Sequence, residues 1–338
     1  MKAWLDSYFN RIWYQTSDPP LLLKFLSLIF QSLVALRRKG YQRGLFKSST
    51  IVVPVIVVGN LTVGGTGKTP LTLWLVNYLR EQDYQPGVIT RGYAGDYASQ
   101  SNVALVAADA DPLRYGDEAV LIATRTGCPV VVGKCRVASA QHLLLNSNCD
   151  IIISDDGLQH LALKRDIEII VIDGMRQFGN QYCLPAGPLR EPISCINYVD
   201  LLVCNGGSFA NATQMLITGD TITNLLDRDQ QQPLSSLQNK AFHVVTGIGN
   251  PQRFFQALVQ AGLTFNTRIF PDHHYFTGDD LHFDDDLPLL MTEKDAVKCY
   301  HLATENSWML PVEAQLDSSF SQSLLQLLEN KYGRYKTA

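Results

Sequence analysis

The sequence predicts an α/β fold in which a parallel sheet carries helices on both faces and a smaller α/β domain follows it. Short β-branched runs that are apolar throughout alternate with helical patterns from residue 51 onward. Strands of this composition are typical of parallel sheets, in which the connecting helices cover both faces. The predicted strands of the first sheet are 55–58, 87–90, 129–132, 150–154, 167–172 and 199–204.

A polar stretch at 220–240 is predicted to connect this sheet to a second, shorter α/β pattern. The elements predicted in the second pattern are a strand at 242–246, a helix running to Gly262, strands near 265–270 and 288–291, and a terminal helix at 316–333. We expect three units, which are a helical segment packed on the core at 1–48, a core at 49–207 and a smaller α/β domain at 208–338.

The composition is that of a folded globular protein. Hydrophobic residues make up 46% of the 338 residues and charged residues 18%, which excludes an extended disordered chain. The seven cysteines are odd in number and include no C-x-x-C pair, so neither a complete disulfide framework nor the usual zinc-site spacing is expected. Free thiols indicate a reducing cytoplasm.

The first 50 residues differ in charge from the rest of the chain. They contain eight Lys or Arg and two Asp, a net charge of +6, so the remainder carries −10. Apolar side chains recur at helical spacing in the first helix, namely Trp4, Leu5, Tyr8, Phe9, Ile12 and Trp13. A second apolar run covers the sixteen residues from Leu21 to Leu36. The second helix would be about 24 Å long, short of the roughly 30 Å hydrocarbon core of a bilayer.

These features favour a helical hairpin that lies in a membrane interface on aromatic and basic anchors. The alternative is a helix pair packed on the protein's own core. The basic residues suit anionic lipid better than nucleic acid, because they are not interleaved into a long groove-like patch.

A glycine-rich segment joins the first predicted strand to the helix after it. It reads Asn60-Leu61-Thr62-Val63-Gly64-Gly65-Thr66-Gly67-Lys68-Thr69. Glycines let successive backbone N–H groups point into one concavity that holds phosphate oxygens, while Lys68 suits the β- and γ-phosphates and Thr69 suits Mg²⁺. Thr62 stands where the usual G-x-x-x-x-G-K-[ST] pattern begins with glycine. The segment from Thr62 to Thr69 therefore predicts a variant phosphate loop and a P-loop NTPase-like core.

Asp155 and Asp156 follow the predicted strand 150–154 directly. Carboxylates at the carboxyl end of a parallel strand lie beside the phosphate loop, where they can reach Mg²⁺ directly or through water. A simple acidic turn is the alternative. Asp173, after the strand 167–172, is a rival for the same role, ranked second because it is a single carboxylate.

The nucleotide is expected to be ATP. Guanine is usually read by an N-K-x-D loop, which neither candidate segment reproduces. Asn239-Lys240-Ala241-Phe242 lacks the aspartate, and Thr292-Glu293-Lys294-Asp295 lacks the asparagine and has its lysine out of place.

Phosphoryl transfer to an alcohol needs a positioned base and cations on the transferring group. Asp117 and Glu118 form a compact acidic site, although an ordinary helix start would look the same. Arg91, Arg136 and Arg190 follow predicted strands or lie in loops from which they could converge on phosphates. His273, in Asp272-His273-His274, could be a metal ligand, a partner of a base or part of a polar turn; no third ligand stands at metal spacing.

Taken together, the motifs resemble the tetraacyldisaccharide 4'-kinase family, the lipid A 4'-kinases. The resemblance covers about residues 54 to 298 in order, and the extended phosphate-loop run and Asp-Asp-Gly-Leu-Gln-His are its most specific parts. Its motifs are Val55 to Pro70, Thr90-Arg91-Gly92-Tyr93, Gly116-Asp117-Glu118, Asp155-Asp156-Gly157-Leu158-Gln159-His160, Pro188-Leu189-Arg190-Glu191-Pro192, Gly249-Asn250-Pro251, Asp272-His273-His274 and Thr292-Glu293-Lys294-Asp295. Ala119 departs from the pattern, which has Pro there.

The resemblance implies transfer of the γ-phosphate of ATP to the 4'-hydroxyl of a tetraacyldisaccharide 1-phosphate, at the cytoplasmic face of a bacterial inner membrane, by two domains that close over the nucleotide. No obligate protein partner and no nucleic acid are expected. It implies that Asp117 is the base with His273 as its partner, and that Lys68 and Asp156 also act in catalysis. The metal-side residues would be Thr69, Glu118, Asp155 and Asp156. The residues lining the site would be Asn60, Arg91, Tyr93, Arg136, Gln159, Arg190 and Glu191.

Two other classes remain open from the residues alone. A P-loop switch or metal-delivery ATPase would hydrolyse ATP without an acceptor and would not need lipid-facing helices. A soluble small-molecule kinase or ligase would keep its activity without residues 1–40.

Overall fold

The computed structural model describes residues 2–15, 18–93, 95–99 and 103–332. The strands, in chain order, are β1 (Val55–Gly59), β2 (Pro86–Thr90), β3 (Val103–Val106), β4 (Val130–Gly133), β5 (Ile151–Asp155), β6 (Ile167–Asp173), β7 (Leu201–Asn205), β8 (Thr213–Thr218), β9 (Thr221–Asn224), β10 (Gln231–Pro233), β11 (His243–Thr246), β12 (Asn266–Ile269), β13 (Leu289–Thr292), β14 (Ser307–Leu310) and β15 (Glu313–Leu316).

The helices, in chain order, are α1 (Lys2–Tyr14), α2 (Leu21–Gln42), α3 (Lys68–Glu81), α4 (Asp96–Ser99), α5 (Pro112–Tyr115), α6 (Asp117–Thr126), α7 (Arg136–Asn146), α8 (Pro251–Gln260), α9 (Gly278–Leu281), α10 (Glu293–Cys299) and α11 (Ser318–Tyr332). The predicted end of the last helix, residue 333, lies outside the described residues.

The strands form a large and a small sheet. The large sheet has the order β15-β8-β7-β6-β1-β5-β2-β4-β3, and all its central pairings are parallel, with β3 and β15 antiparallel at the two edges. The small sheet has the order β10-β9-β14-β13-β11-β12 and a parallel centre of β14, β13, β11 and β12. The predicted α/β class with a parallel sheet and helices on both faces is confirmed.

The core of the large sheet has two sides because its central strands are buried on both faces. Ile56 and Val58 of β1 point into the side that also receives α3, α6 and α11, where Leu75, Ile122 and Leu324 are fully buried. Val55 and Val57 point to the opposite side, against α7. Alternate residues of one apolar strand thus serve two layers, which is why the run shows no polar alternation.

The C-terminal part of the chain does not stay with the small sheet. Strands β8 and β15 both come after residue 208 and pair with each other at the edge of the large sheet, and α11 packs on that sheet through Phe320. The boundary at 207 and 208 stays a prediction. Below, the body around the small sheet is called the small body and the body around the large sheet the large body.

The sequence predicts that the stretch at 220–240 only connects the two sheets, but the structure shows that it also forms strands. It contributes β9 and β10 to the edge of the small sheet, where β9 pairs with β14 and β10 pairs with β9 in antiparallel fashion. Strand β10 forms the edge of the small sheet, and β9 lies between β10 and β14. Both are short and mostly polar, so neither shows the apolar run that reveals a central strand.

Helices α1 and α2 lie against the segment between β6 and β7. The indole N–H of Trp13 donates to the Pro185 carbonyl at 3.0 Å, and the Ser27 hydroxyl donates to the Cys183 carbonyl at 2.7 Å. Helix α2 continues to Gln42, so the basic residues 37–39 lie within it and not after its end. Within the described part of the chain, none of the helices combines the length and apolar character needed to cross a bilayer.

Candidate active site

The glycine-rich loop lies between β1 and α3, at the carboxyl edge of the large sheet. Gly64 and Gly67 have φ angles of 95° and 97°, in the left-handed region that glycine adopts without a steric penalty. A Cβ atom on Gly67 would also overlap the Asn205 amide, which donates to the Thr66 carbonyl at 2.9 Å. The sequence thus folds here into the open turn at a helix N-terminus that suits phosphate.

Neighbouring segments hold the outer side of this loop. The Val63 N–H donates to the Pro188 carbonyl at 2.9 Å, and Thr62 forms an antiparallel bridge with Leu189. Arg176 donates to the Gly65 carbonyl at 2.7 Å. Because these contacts occupy the outer face, the loop is pre-organised before nucleotide arrives.

Lys68 and Arg190 converge on Asp156. Lys68 Nζ lies 3.6 Å from Asp156 Oδ1, and the Arg190 guanidinium donates to both Asp156 oxygens at 3.0 and 3.2 Å. Arg190 also donates to the side chain and the carbonyl of Asn60. Burial alone would raise the pKa of Asp156, but Lys68, Arg190 and Arg136 outweigh it and hold that pKa below its usual value. Asp156 is therefore a fixed anion beside the phosphate loop.

Asp155 has a different environment although it is the adjacent residue. It is 1% exposed, and one of its oxygens accepts from the Thr72 hydroxyl at 3.2 Å while Oδ2 has no partner. Burial raises the pKa of Asp155 to about 7, and the charge of Glu118 adds to the rise. A buried carboxylate oxygen with no partner is costly, so it favours a ligand at this position.

Asp117 and His273 meet across the two bodies. Asp117 begins α6 of the large body and is 3% exposed, and His273 follows β12 in the small body. Nδ1 of His273 lies 3.1 and 3.0 Å from the two Asp117 oxygens. Burial would raise the pKa of Asp117, but Lys294, His273 and Lys298 together lower it to about 2. The pair borders a cavity of about 370 Å³ that Asp111, Lys298 and His301 also line.

Glu118 is bound to the small body as well. The Lys294 ammonium donates to Glu118 Oε1 at 2.9 Å and to Asp272 Oδ1 at 3.5 Å. Burial would lower the pKa of Lys294, but Glu118, Asp117 and Asp272 raise it above its usual value. The two acidic residues at the start of α6 thus each face a cation of the small body, which an ordinary helix start does not require.

The remaining predicted site residues differ in their contacts and exposure. The Gln159 amide donates to Glu191 Oε1 at 3.1 Å, and the Tyr93 ring lies 4.8 Å from that of His273. Arg91 is exposed at the end of β2. Arg136 is 2% exposed and donates to the carbonyls of Gly133 and Asp155, while its Nε has no partner.

Asp173, the rival to the acidic pair, has other partners. It accepts from Arg176 at 2.9 Å, from Arg253 at 2.9 Å and from Asn250 at 3.3 Å, the last two from α8 and its N-cap. Two guanidinium groups satisfy its charge. Asp173 therefore joins the small body to the phosphate-loop side of the large body.

Sequence reasoning missed the cations that surround Asp117 and Glu118. Lys294 lies in Thr292-Glu293-Lys294-Asp295, which the sequence offers as a candidate guanine-reading loop and as a motif of the resemblance without a role for the lysine, and Lys298 lies outside that segment. Their spacing of four could have indicated one face of a helix, but nothing in the sequence tells what that face meets.

Comparisons with known proteins agree over most of the chain. The family model described as tetraacyldisaccharide-1-P 4'-kinase matches residues 20–329. The chain is 49% identical to the tetraacyldisaccharide 4'-kinase of Nitrosococcus oceani, covering 96% of this chain and 95% of the relative. It is 46% identical to that of Methylobacillus flagellatus, covering 95% and 96%.

A solved structure is similar in fold. The crystal structure of LpxK from Aquifex aeolicus in complex with ATP superposes with a TM-score of 0.75 at 25% identity, covering 89% of this chain and 97% of that one.

Proposed function

Because the chain belongs to the tetraacyldisaccharide-1-P 4'-kinase family, it is an ATP-dependent lipid A 4'-kinase, and we propose how its residues divide the work of phosphoryl transfer. The reaction moves the γ-phosphate of ATP to the 4'-hydroxyl of a tetraacyldisaccharide 1-phosphate. The observation that carries the proposal is the contact of His273 with both Asp117 oxygens across the two bodies.

The phosphate loop from Thr62 to Thr69 binds the ATP phosphates through its backbone N–H groups other than that of Val63, which donates to Pro188, as the left-handed glycines support. Lys68 neutralises charge on the transferring phosphoryl group, and Asp156 holds the lysine at the edge of the loop. The Arg190 guanidinium keeps Asp156 in place from the other side.

The donor set near the loop suits Mg²⁺, which prefers oxygen ligands and usually keeps water and phosphate oxygens in its shell. Thr69, Glu118, Asp155 and Asp156 would hold the ion, and the unpartnered Asp155 oxygen supports this assignment. Among the described residues, no three His, Cys, Asp or Glu side chains form a group that could hold a metal ion by themselves. When bound, Mg²⁺ neutralises charge on the β- and γ-phosphates.

Asp117 takes the proton of the acceptor hydroxyl as the oxygen attacks phosphorus. A carboxylate with a pKa of about 2 is a weak base, so its partner matters. The imidazole of His273 contacts both carboxylate oxygens, orients the group and shares the charge. Because the two residues come from different bodies, the base is complete only when the bodies are together.

We expect the acceptor sugar to bind beside Asn60, Arg91, Tyr93, Gln159 and Glu191. The buried Arg136 would support these residues from below the surface. Glu191 links this side to the N-terminal helices, because its Oε2 lies 3.1 Å from Arg38 Nη1 of α2. The Glu191 carboxylate thus contacts both Gln159, a predicted site residue, and helix α2.

Helix α2 supports a location at the cytoplasmic face of the inner membrane. Within α2, whose residues are all described, only Ser27 and Gly40 are buried. Its exposed apolar side chains are Leu21, Leu22, Phe25, Leu26, Leu28, Ile29, Leu33 and Leu36. A contiguous apolar face of this kind marks a binding surface, and a substrate with four acyl chains remains in the bilayer. The +6 charge of residues 1–50 adds attraction to anionic lipid.

Membrane binding is tested by changing this face alone. We expect Phe25→Glu, Leu28→Glu and Leu36→Glu together to weaken sedimentation with anionic vesicles about a hundredfold or more, because each side chain loses burial worth roughly 1.5–3 kcal/mol. Activity on the acylated substrate should fall with it, whereas ATP binding should not. The matched control changes Val259 and Ile269, exposed apolar residues of the small body, to Glu. Equal sedimentation of the α2 variant and wild type would show that the helix does not bind lipid.

Deletion of residues 1–40 should also weaken vesicle binding and activity on the lipid, and more strongly than the three α2 substitutions. It removes the whole apolar face together with Arg38, so vesicle sedimentation and activity on the lipid should both fall much more than ATP binding. If the truncated protein sedimented like the intact one, the hairpin would serve packing only.

The function itself is tested with the full-length chain, ATP, Mg²⁺ and the tetraacyldisaccharide 1-phosphate in detergent. We expect ADP to form only when the lipid is present, with one phosphorylated lipid for each ADP. Equal ADP formation without lipid would instead identify a P-loop ATPase that has no acceptor.

A further inference from the structure

Helix α10 of the small body presents two lysines to the start of α6. Lys294 Nζ lies 2.9 Å from Glu118, and Lys298 Nζ, one turn further along, lies 3.7 Å from Asp117 Oδ2. Residues four apart share a helix face, so one face of α10 meets both acidic residues. Lys298 is only 7% exposed.

Lys298 is itself fixed by a buried carboxylate. Its ammonium donates to Asp295 Oδ1 at 3.0 Å, and Asp295 is 0% exposed. The other Asp295 oxygen accepts from the Thr246 hydroxyl at 2.9 Å and from the Gly247 N–H at 3.1 Å. The lysine thus has a fixed position relative to the small sheet, although its side chain is long and flexible in isolation.

The same carboxylate also reaches the other partner of Asp117. The Gly247 N–H is bound to Asp295, and the Gly247 carbonyl accepts from the backbone N–H of His273 at 3.2 Å. His273 has a φ of 59°, an uncommon conformation for a residue with a side chain, so its backbone needs such support. Asp295 therefore sets the positions of both Lys298 and His273.

We propose that Lys298 is a positioning residue for the transfer reaction, which holds the Asp117 carboxylate in the orientation that His273 and the acceptor hydroxyl require. The proposal rests on the proposed role of Asp117 as base. Lys298 lies next to Oδ2, so it restrains rotation of the carboxylate, while His273 contacts both oxygens. In this role it acts through Asp117.

The placement also explains why a lysine is buried here. An ammonium group leaves water at a cost of several kcal/mol unless anions surround it. Lys298 lies between Asp117 and Asp295, and the Phe276 ring lies 5.0 Å from its Nζ. One of the two anions belongs to each body, so the lysine is fully compensated only when the bodies are together.

The experiment compares Lys298→Met with a matched control on the same two helices. Arg125 of α6 pairs with Glu293 of α10 at 2.8 Å, an ion pair between the bodies that lies away from Asp117. We expect Lys298→Met to lower kcat on the order of 10- to 100-fold with little change in the KM for ATP, because misplacing a reacting group has effects of this size. Arg125→Met should lower thermal stability and leave kcat within about threefold.

Three further variants distinguish positioning of Asp117 by Lys298 from a contribution of Lys298 to stability alone. Lys298→Arg, which keeps the charge, should recover part of kcat. The amide of Lys298→Gln can still donate to Asp295 but carries no charge toward Asp117. We therefore expect its kcat to be as low as that of Lys298→Met. It replaces Lys298→Met in the experiment if that variant does not fold. In an Asp117→Ala background, Lys298→Met should cause no additional loss, since groups that act through one another are not additive.

A Lys298→Gln enzyme with wild-type kcat would overturn the proposal, as would a loss that multiplies with that of Asp117→Ala. A loss no greater than that of Arg125→Met would do the same. If the wild-type chain did not phosphorylate the lipid at all, the proposed function would fail, which is a different result from any of these.

Discussion

Replacing Lys68 by alanine is expected to abolish nearly all phosphoryl transfer, with kcat lower on the order of 10³-fold or more at saturating ATP and lipid. Lys68 is the first residue of α3, directly after the left-handed Gly67, and its ammonium points to the acidic pair. A cation at this position acts on charge that develops in the transition state. Its loss therefore affects the chemical step more than ATP binding.

The control for this prediction is Lys240→Ala, which removes an exposed lysine of the small body. It should leave kcat unchanged. Folding of both variants is checked by circular dichroism and thermal unfolding before kinetics are measured. Near-normal turnover by a folded Lys68→Ala enzyme would remove the phosphate-loop assignment.

Asp117→Ala and His273→Ala should each lower kcat on the order of 10²- to 10⁴-fold, the range of general acid–base catalysis, with little change in the apparent affinity for ATP. The carboxylate takes the proton, and the imidazole 3.0 Å away orients it. Because both belong to one catalytic unit, the double variant should be little slower than the slower single variant. His274→Ala is the matched control, since His274 pairs with Asp280 at 3.1 Å and not with Asp117.

The double-mutant cycle has two outcomes that count against this account. Losses that multiply fully would mean that the two residues act independently. Unchanged kcat in His273→Ala would eliminate the pair. Either result would contradict the assignment of the Asp117–His273 pair but not the assignment of the phosphate loop as the ATP site.

The fold was predictable from sequence where one strong physical cause acts on each residue. Burial on both faces requires the apolar runs of β1, β5 and β6, and the phosphate loop requires its glycines for reasons of backbone geometry. Strands β9 and β10 are short and mostly polar, and β8 and β15 are only partly buried, so none of them shows a clear apolar run.

The site was predictable only in part, because contacts between distant segments leave no trace in local sequence. Asp117 and His273 are 156 residues apart and come together through the docking of two bodies. The same is true of Lys298 beside Asp117. Nor does local sequence show that Arg136, which follows a predicted strand, donates to two backbone carbonyls.

The central claim is that the γ-phosphate of ATP passes to the 4'-hydroxyl of the lipid. The most direct test uses the full-length chain, γ-labelled ATP, Mg²⁺ and the tetraacyldisaccharide 1-phosphate in detergent, followed by determination of the labelled position in the lipid product. We expect one labelled phosphate on the 4'-oxygen with the wild-type enzyme and none with Lys68→Ala or Asp117→Ala. Label found only in inorganic phosphate, or attached to the existing 1-phosphate, would contradict it.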